Sequence, residues 1–325
     1  MLLRLALVAL GLHWITQQSN TNASLRGLCA VSAKVVWASG TKGTFLRTID
    51  GGEHWQSGTV PGAEALDFRD VEAFDAETAY LLASGEGASS RVYKTTDDGG
   101  HWDLLLTNPD AKGFFDSLAF WDRRHAILVG DPVDGSFVIY TTADAGQTWQ
   151  RQKTPDSLPD EGAFAASGTS IVTQGKKDAW FATGGPNGAR VFRTRDEGRT
   201  WNVAKAPLGG TKAAGVFSLV FRDRKNGVAV GGDYQNSKVM DHTAALTHDG
   251  GRTWTPVSGL AYRSGVAVVG GHRLIAVGTT GSDVSEDDGQ TWQHFSDSAL
   301  NAVSANGGAV WAVGPKGAIM KLEEK

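Results

Sequence analysis

Cysteine is almost missing from this chain: Cys29 is the only one among 325 residues. That excludes an intramolecular disulfide and any cysteine-built zinc cage. Proline is scarce, at 9 residues against 42 glycines, a balance that suits many tight turns between short strands. Runs of like charge are missing too, and the formal net charge is only −4. Nucleic acid and acidic membrane surfaces are therefore not expected partners. Beyond the N-terminus no apolar run is long enough to read as a membrane span.

The N-terminus itself, MLLRLALVALGLHW, is different. Arg4 supplies a short basic segment, Leu5 to Leu12 an apolar run too short to span a bilayer, and Ala9-Leu10-Gly11 a small-x-small cleavage site. The expectation is a signal peptide over residues 1–11 and a single domain over residues 12–325, exported to the periplasm or the exterior. An ordinary buried first strand would read similarly.

What is abundant is repetition. The pattern Thr/Ser-x-Asp-x-Gly-x-Thr/His-Trp occurs six times, pairing Asp50 with Trp55, Asp97 with Trp102, Asp144 with Trp149, Asp196 with Trp201, Asp249 with Trp254 and Asp287 with Trp292. The tryptophans follow one another at 38 to 53 residues. A unit of that size is one small antiparallel sheet, and a closed ring of such sheets is a propeller. Each Asp can accept bonds from amides of its own turn, the Gly permits a backbone conformation other residues resist, and the indole packs between neighbouring sheets with one polar handle. A catalytic acid has no reason to recur six times. The motif reads as architecture.

Within the first unit, LRGLCAVS, KVVWASG and TFLRT read as strands A, B and C, and HWQSGTV begins D. The B pattern recurs often enough for seven units, against six complete turn motifs. The two chain ends account for the difference. WAVGPKGAIMKLEEK matches WASGTKGTFLRTIDG without a gap, so the chain stops inside a seventh turn motif, with Glu324 where Asp50 stands. HWITQQS, starting at His13, resembles the D segment HWQSGTV. The expected fold is all-β: a seven-bladed β-propeller of four-stranded antiparallel blades, the last closed by the N-terminal strand.

These repeats resemble the Asp-box, or BNR, repeats of exported β-propellers. The single-domain, seven-unit layout is similar to the photosystem II stability/assembly factor family and its bacterial relatives outside photosynthesis. The resemblance runs from about Trp14 to Lys325. It implies a non-enzymatic binding or assembly factor without cofactor or metal, acting on a protein or membrane-complex client. It is specific for fold and poorly specific for function, because sialidases and sortilin-like receptors carry the same box.

Candidate binding residues gather on the loop-rich face opposite the turn motifs. Three long connections supply Asp131 and Asp134; Asp156, Asp160 and Glu161; and Asp233, Tyr234, Lys238, Asp241 and His242. Arg26, Arg69 and Arg263 recur near the starts of A strands, where three guanidiniums at one channel mouth would grip carboxylates of a partner or a small anionic or glycan ligand. Each could instead pair with a nearby acid, such as Asp70 for Arg69. The competing function is a sialidase-like glycoside hydrolase, with the arginines on a substrate carboxylate and Tyr234 and Glu161 at the reacting carbon. Asp131 and Asp134 could likewise be paired hydrolytic carboxylates, although DPVDG is also an ordinary turn. A closed ring has no edge to bury, so a monomer is expected.

Overall fold

The computed structural model describes residues 11–324. The signal-peptide expectation for residues 1–11 falls almost wholly outside them. The described chain forms seven four-stranded antiparallel sheets, with two short 3-10 turns, Gly87–Ser89 and Pro315–Gly317, as its helical content.

Blade 1 sets the pattern: strand A is Leu25–Ala30, B is Val36–Gly40, C is Thr44–Thr48 and D is Gln56–Thr59. Burial follows position in the blade. Strands B and C are buried at every residue, whereas D is largely exposed. Two faces of one sheet each meet a neighbouring blade, so the middle strands must be apolar on both sides. That is why VWASG shows no polar alternation.

The ring closes as its ends require. Blade 7 takes strands A to C from Ala302–Asn306, Ala309–Val313 and Ile319–Glu324, and its outermost strand from Leu12–Gln17. Pairing runs from Leu12 opposite Glu324 to Gln17 opposite Ile319. The Trp14 indole N–H donates to Ser282 Oγ of blade 6 at 3.0 Å, and its ring lies 5.8 Å from Phe295. Both edges of the C-terminal strand are thereby paired.

The six turn motifs repeat one hydrogen-bond set. The Thr or Ser hydroxyl donates to the Asp Oδ1 at 2.8–2.9 Å. The amide four residues after the Asp donates to the same oxygen at 2.8–3.0 Å. The Gly demands its identity twice. Gly52 has φ +91°, and a Cβ there would sit 2.4 Å from the Trp311 ring. Trp55 then packs edge-on against Trp311 of blade 7, ring centres 5.7 Å apart, inside one apolar cluster shared by blades 7 and 1. Truncating an indole so placed costs about 3–5 kcal/mol.

The polar handle of these indoles goes mostly unused. Trp201 donates to Gly198 O at 3.0 Å, but the N–H groups of Trp55, Trp102, Trp149, Trp254 and Trp292 are buried with no acceptor among the described residues. Apolar area, rather than a hydrogen bond, selects Trp here.

Candidate functional site

The turn motifs occupy one face; the A-strand starts and the B–C and D–A connections form the other. A cavity of about 420 Å³ opens there at the channel mouth, and none of its lining residues comes from a turn motif. Its walls differ by sector. Blades 1 and 2 present Arg26 and Arg69, and blade 3 presents Asp116 and Asp131. The segment between blades 3 and 4, together with blades 5 and 6, presents Phe164, Phe217, Tyr234 and Tyr262.

The aromatic sector is a continuous stack. Phe164 and Phe217 lie face to face at 3.8 Å, and Tyr262 and Tyr234 meet Phe217 edge-on at 5.0 and 6.2 Å. Tyr262 is buried, whereas Tyr234 is 51% exposed at the rim. A preformed apolar wall with a wet edge suits a partner's side chains.

In the basic sector Arg69 pairs with Asp67 at 2.8 Å and lies over the Phe114 ring at 5.9 Å. Its partner is therefore not Asp70, which is 3% exposed and points the other way. There Asp70 accepts the Leu118 amide at 2.7 Å, and Gly168, with φ +74°, presses so close that a Cβ would lie 2.1 Å from Asp70 Oδ1. Arg26 has no carboxylate within ion-pair distance among the described residues. Burial, and then the neighbouring Arg69 charge, pull its pKa down. A partly buried guanidinium without a counter-ion is an incomplete ion pair, and a carboxylate would complete it.

Arg263 does not join this cluster. It is 1% exposed, its guanidinium grips Asp283, and it donates to Tyr262 O and Thr280 Oγ1, both at 2.7 Å. Two of the three sequence-expected arginines share the mouth; the third is framework. Arg263 stands one residue earlier in the repeat than Arg26, at the buried position of Leu25, as the shared bond from each amide to the preceding blade shows. Ser264 holds the position of Arg26 and lines the mouth in its place.

Other expected residues divide similarly. Glu161 is bound by Arg190, by the Thr183 hydroxyl at 2.6 Å and by the Leu158 amide at 2.8 Å. Asp233 accepts the amides of Gln235 and Asn236 and the Thr211 hydroxyl. Asp134 stands at a hairpin tip with φ +53° and lines neither cavity. DPVDG thus carries strand B through Val133 and turns only at Asp134-Gly135, and Asp131 finds its carboxylate neighbour in Asp116 instead. Of the remaining loop acids, Asp156 accepts the Ser136 hydroxyl, Asp160 pairs with Lys212 and Asp241 with His242.

A second cavity of about 770 Å³ lies beside the first and shares Asp131, Ala163, Phe164 and Lys212 with it. The two make one groove, running from the channel mouth outward across blades 3 and 4. Sequence reasoning missed Asp116, Phe164, Phe217, Tyr262 and Lys212. Asp116 and Phe217 lie within otherwise buried A strands, where the pattern reads as core.

Among the described residues the one trio spaced for a cation is Asp50, Glu53 and His54. It sits on the exposed turn of blade 1, where Asp50 already serves the turn through Thr48 and His54.

A family model described as "Photosynthesis system II assembly factor YCF48" matches residues 8–157. No curated protein matches the chain. Among solved structures, "YCF48 bound to D1 peptide" superposes with a TM-score of 0.69 at 17% identity, covering 99% of this chain and 100% of that one. YCF48 from Cyanidioschyzon merolae gives 0.63 at 17% identity, covering 95% and 98%. Virginiamycin B lyase from Staphylococcus aureus gives 0.70 at 13%, covering 97% and 99%. At such identities the structures share the fold, and chemistry has to be argued from the site.

Proposed function

We propose that this chain, a BNR-type β-propeller resembling the photosystem II assembly factor, is a protein-binding assembly factor that holds an extended segment of a client across the channel mouth. The observation that carries this reading is the composition of the mouth. Arg26 lacks a counter-ion, an aromatic stack shares the mouth, and a second cavity that shares four lining residues extends it, which suits a strand of peptide rather than one compact ligand. The similar protein named above is described as bound to a peptide, which supports a peptide as the kind of ligand.

Sialidase-type hydrolysis has no such support. Its arginine triad would need Arg263, which is committed to Asp283, and its acid would need Glu161, which is committed to Arg190. Export belongs to the proposal as well. Described pairing begins at Leu12, so removal of residues 1–11 would leave the closing strand whole.

A photo-crosslinking amino acid at position 234, in the protein expressed in its native host, tests the reading. One dominant client crosslinked through a single segment, and lost in Arg26→Glu, is the expected result. Crosslinks scattered over abundant proteins, or glycan turnover by the purified chain, would overturn it.

A further inference from the structure

We infer that the acidic sector of the mouth, Asp116 with Asp131, is a subsite for a cationic side chain, so that the segment bound there carries mixed charge. The inference rests on the mouth being the binding site proposed above, and it names what one wall of that site takes.

Asp116 is 1% exposed, yet its Oδ2 is buried with no hydrogen-bond partner among the described residues, and the side chain lines the cavity. A buried carboxyl oxygen without a donor is costly, and native proteins keep few of them. Of the charged groups that share the cavity with it, all but Arg26 on blade 1 have partners. Arg69 is held by Asp67, Lys212 pairs with Asp160 at 3.3 Å, and Asp131 Oδ1 accepts the Ala163 amide at 2.9 Å. None of these cations lies within ion-pair distance of Asp116, while Phe164 and Phe217 offer ring faces along the same cavity. Two carboxyls against aromatic faces suit an alkylammonium or guanidinium.

The charge state of the pair fits that use. Burial, then the nearby Asp131, push the Asp116 carboxyl well above the usual range, and burial raises Asp131 to about 6. Both shifts have one cause, the loss of water around two neighbouring carboxyls, and a cation brought between them would relieve it.

The test uses the full chain and two small probes, 6-aminohexanoate and hexanoate, titrated calorimetrically at neutral pH. The carboxylate of either probe can meet Arg26; only the first brings an ammonium. The aminohexanoate is expected to bind about tenfold more tightly or better. Asp116→Asn and Asp131→Asn should each bring the two affinities together while leaving that of hexanoate in place. Equal affinities in the wild type, or no binding at millimolar probe, would overturn the inference. The wild-type comparison needs no variant to fold. Because neither probe is a protein, failure here leaves client crosslinking standing, and failure of crosslinking leaves the probe affinities untouched.

Discussion

Aspartates on the two faces of this propeller are held in opposite states. In the turn motifs Asp144 is held down to about 2, first by the Thr148 amide and then by the Thr148 and Thr142 hydroxyls. At the other end of the A strands, burial drives Asp70 up to about 7 even though the Leu118 amide bonds to it. The side chain is the same. A turn carries its own donors within a few residues and stays in water, so the charge is satisfied wherever the motif occurs. A channel carboxyl depends on whatever the neighbouring blade offers and has lost its water. Repetition therefore marks residues whose work is local, while unmatched chemistry collects where seven non-equivalent blades converge.

The strongest way to break this contrast is to cut an ion pair that only looks like part of the mouth. Arg263→Ala strands a buried Asp283 and should cost about 3–5 kcal/mol, measured by chemical denaturation. Replacing both partners by leucine should recover much of that loss; if it did not, Arg263 would have a role beyond its pair.

Next in size is pH. Asp70, with a folded value of about 7 against 3.8 for an unperturbed aspartate, binds more protons folded than unfolded between those values. Its contribution is fully present below about pH 4 and is lost as pH rises through 7. Asp144 runs the other way: its contribution is present above 3.8 and disappears as pH falls through about 2. Melting temperature scanned from acid to alkali should therefore rise out of the acid limb and then decline gently toward neutrality. Asp70→Asn should make that decline shallower, leaving the share due to Asp116 and Asp131, without touching the acid limb.

Asp287→Ala removes the shared acceptor of one motif and is expected to cost about 1 kcal/mol, as loss of a comparable side-chain cap does. The smallest effect belongs to the rim. Tyr234→Ala should leave stability within about 0.5 kcal/mol yet weaken retention of the client in affinity capture. A large loss of stability would move Tyr234 from the site to the framework.

Most of the ring was legible in the amino-acid order, because its determinants are periodic and local. Six copies of one turn, a B strand buried on both sides and two chain ends matching halves of one unit are properties of neighbouring residues. The mouth was legible only in part. Arg26 and Arg69 could be placed by repeat position and Asp131 and Tyr234 by their long connections, but Arg263 was grouped with the arginines one residue out of register, and Glu161 and Asp233 were treated as free. Their partners, Asp283, Arg190 and Thr211, come from other strands or connections, at separations no pattern encodes. Asp116 went unnoticed for the converse reason: FDSLAF reads as core, and it is core except for one oxygen.

The chain by itself determined the sheet type, the number of blades and the closure, since each follows from spacing and from the pairing needs of a strand edge. Which charges are spent and which remain available was decided only in three dimensions. An ion pair forms or fails within about 4 Å, and that distance depends on how seven unlike blades meet around one axis.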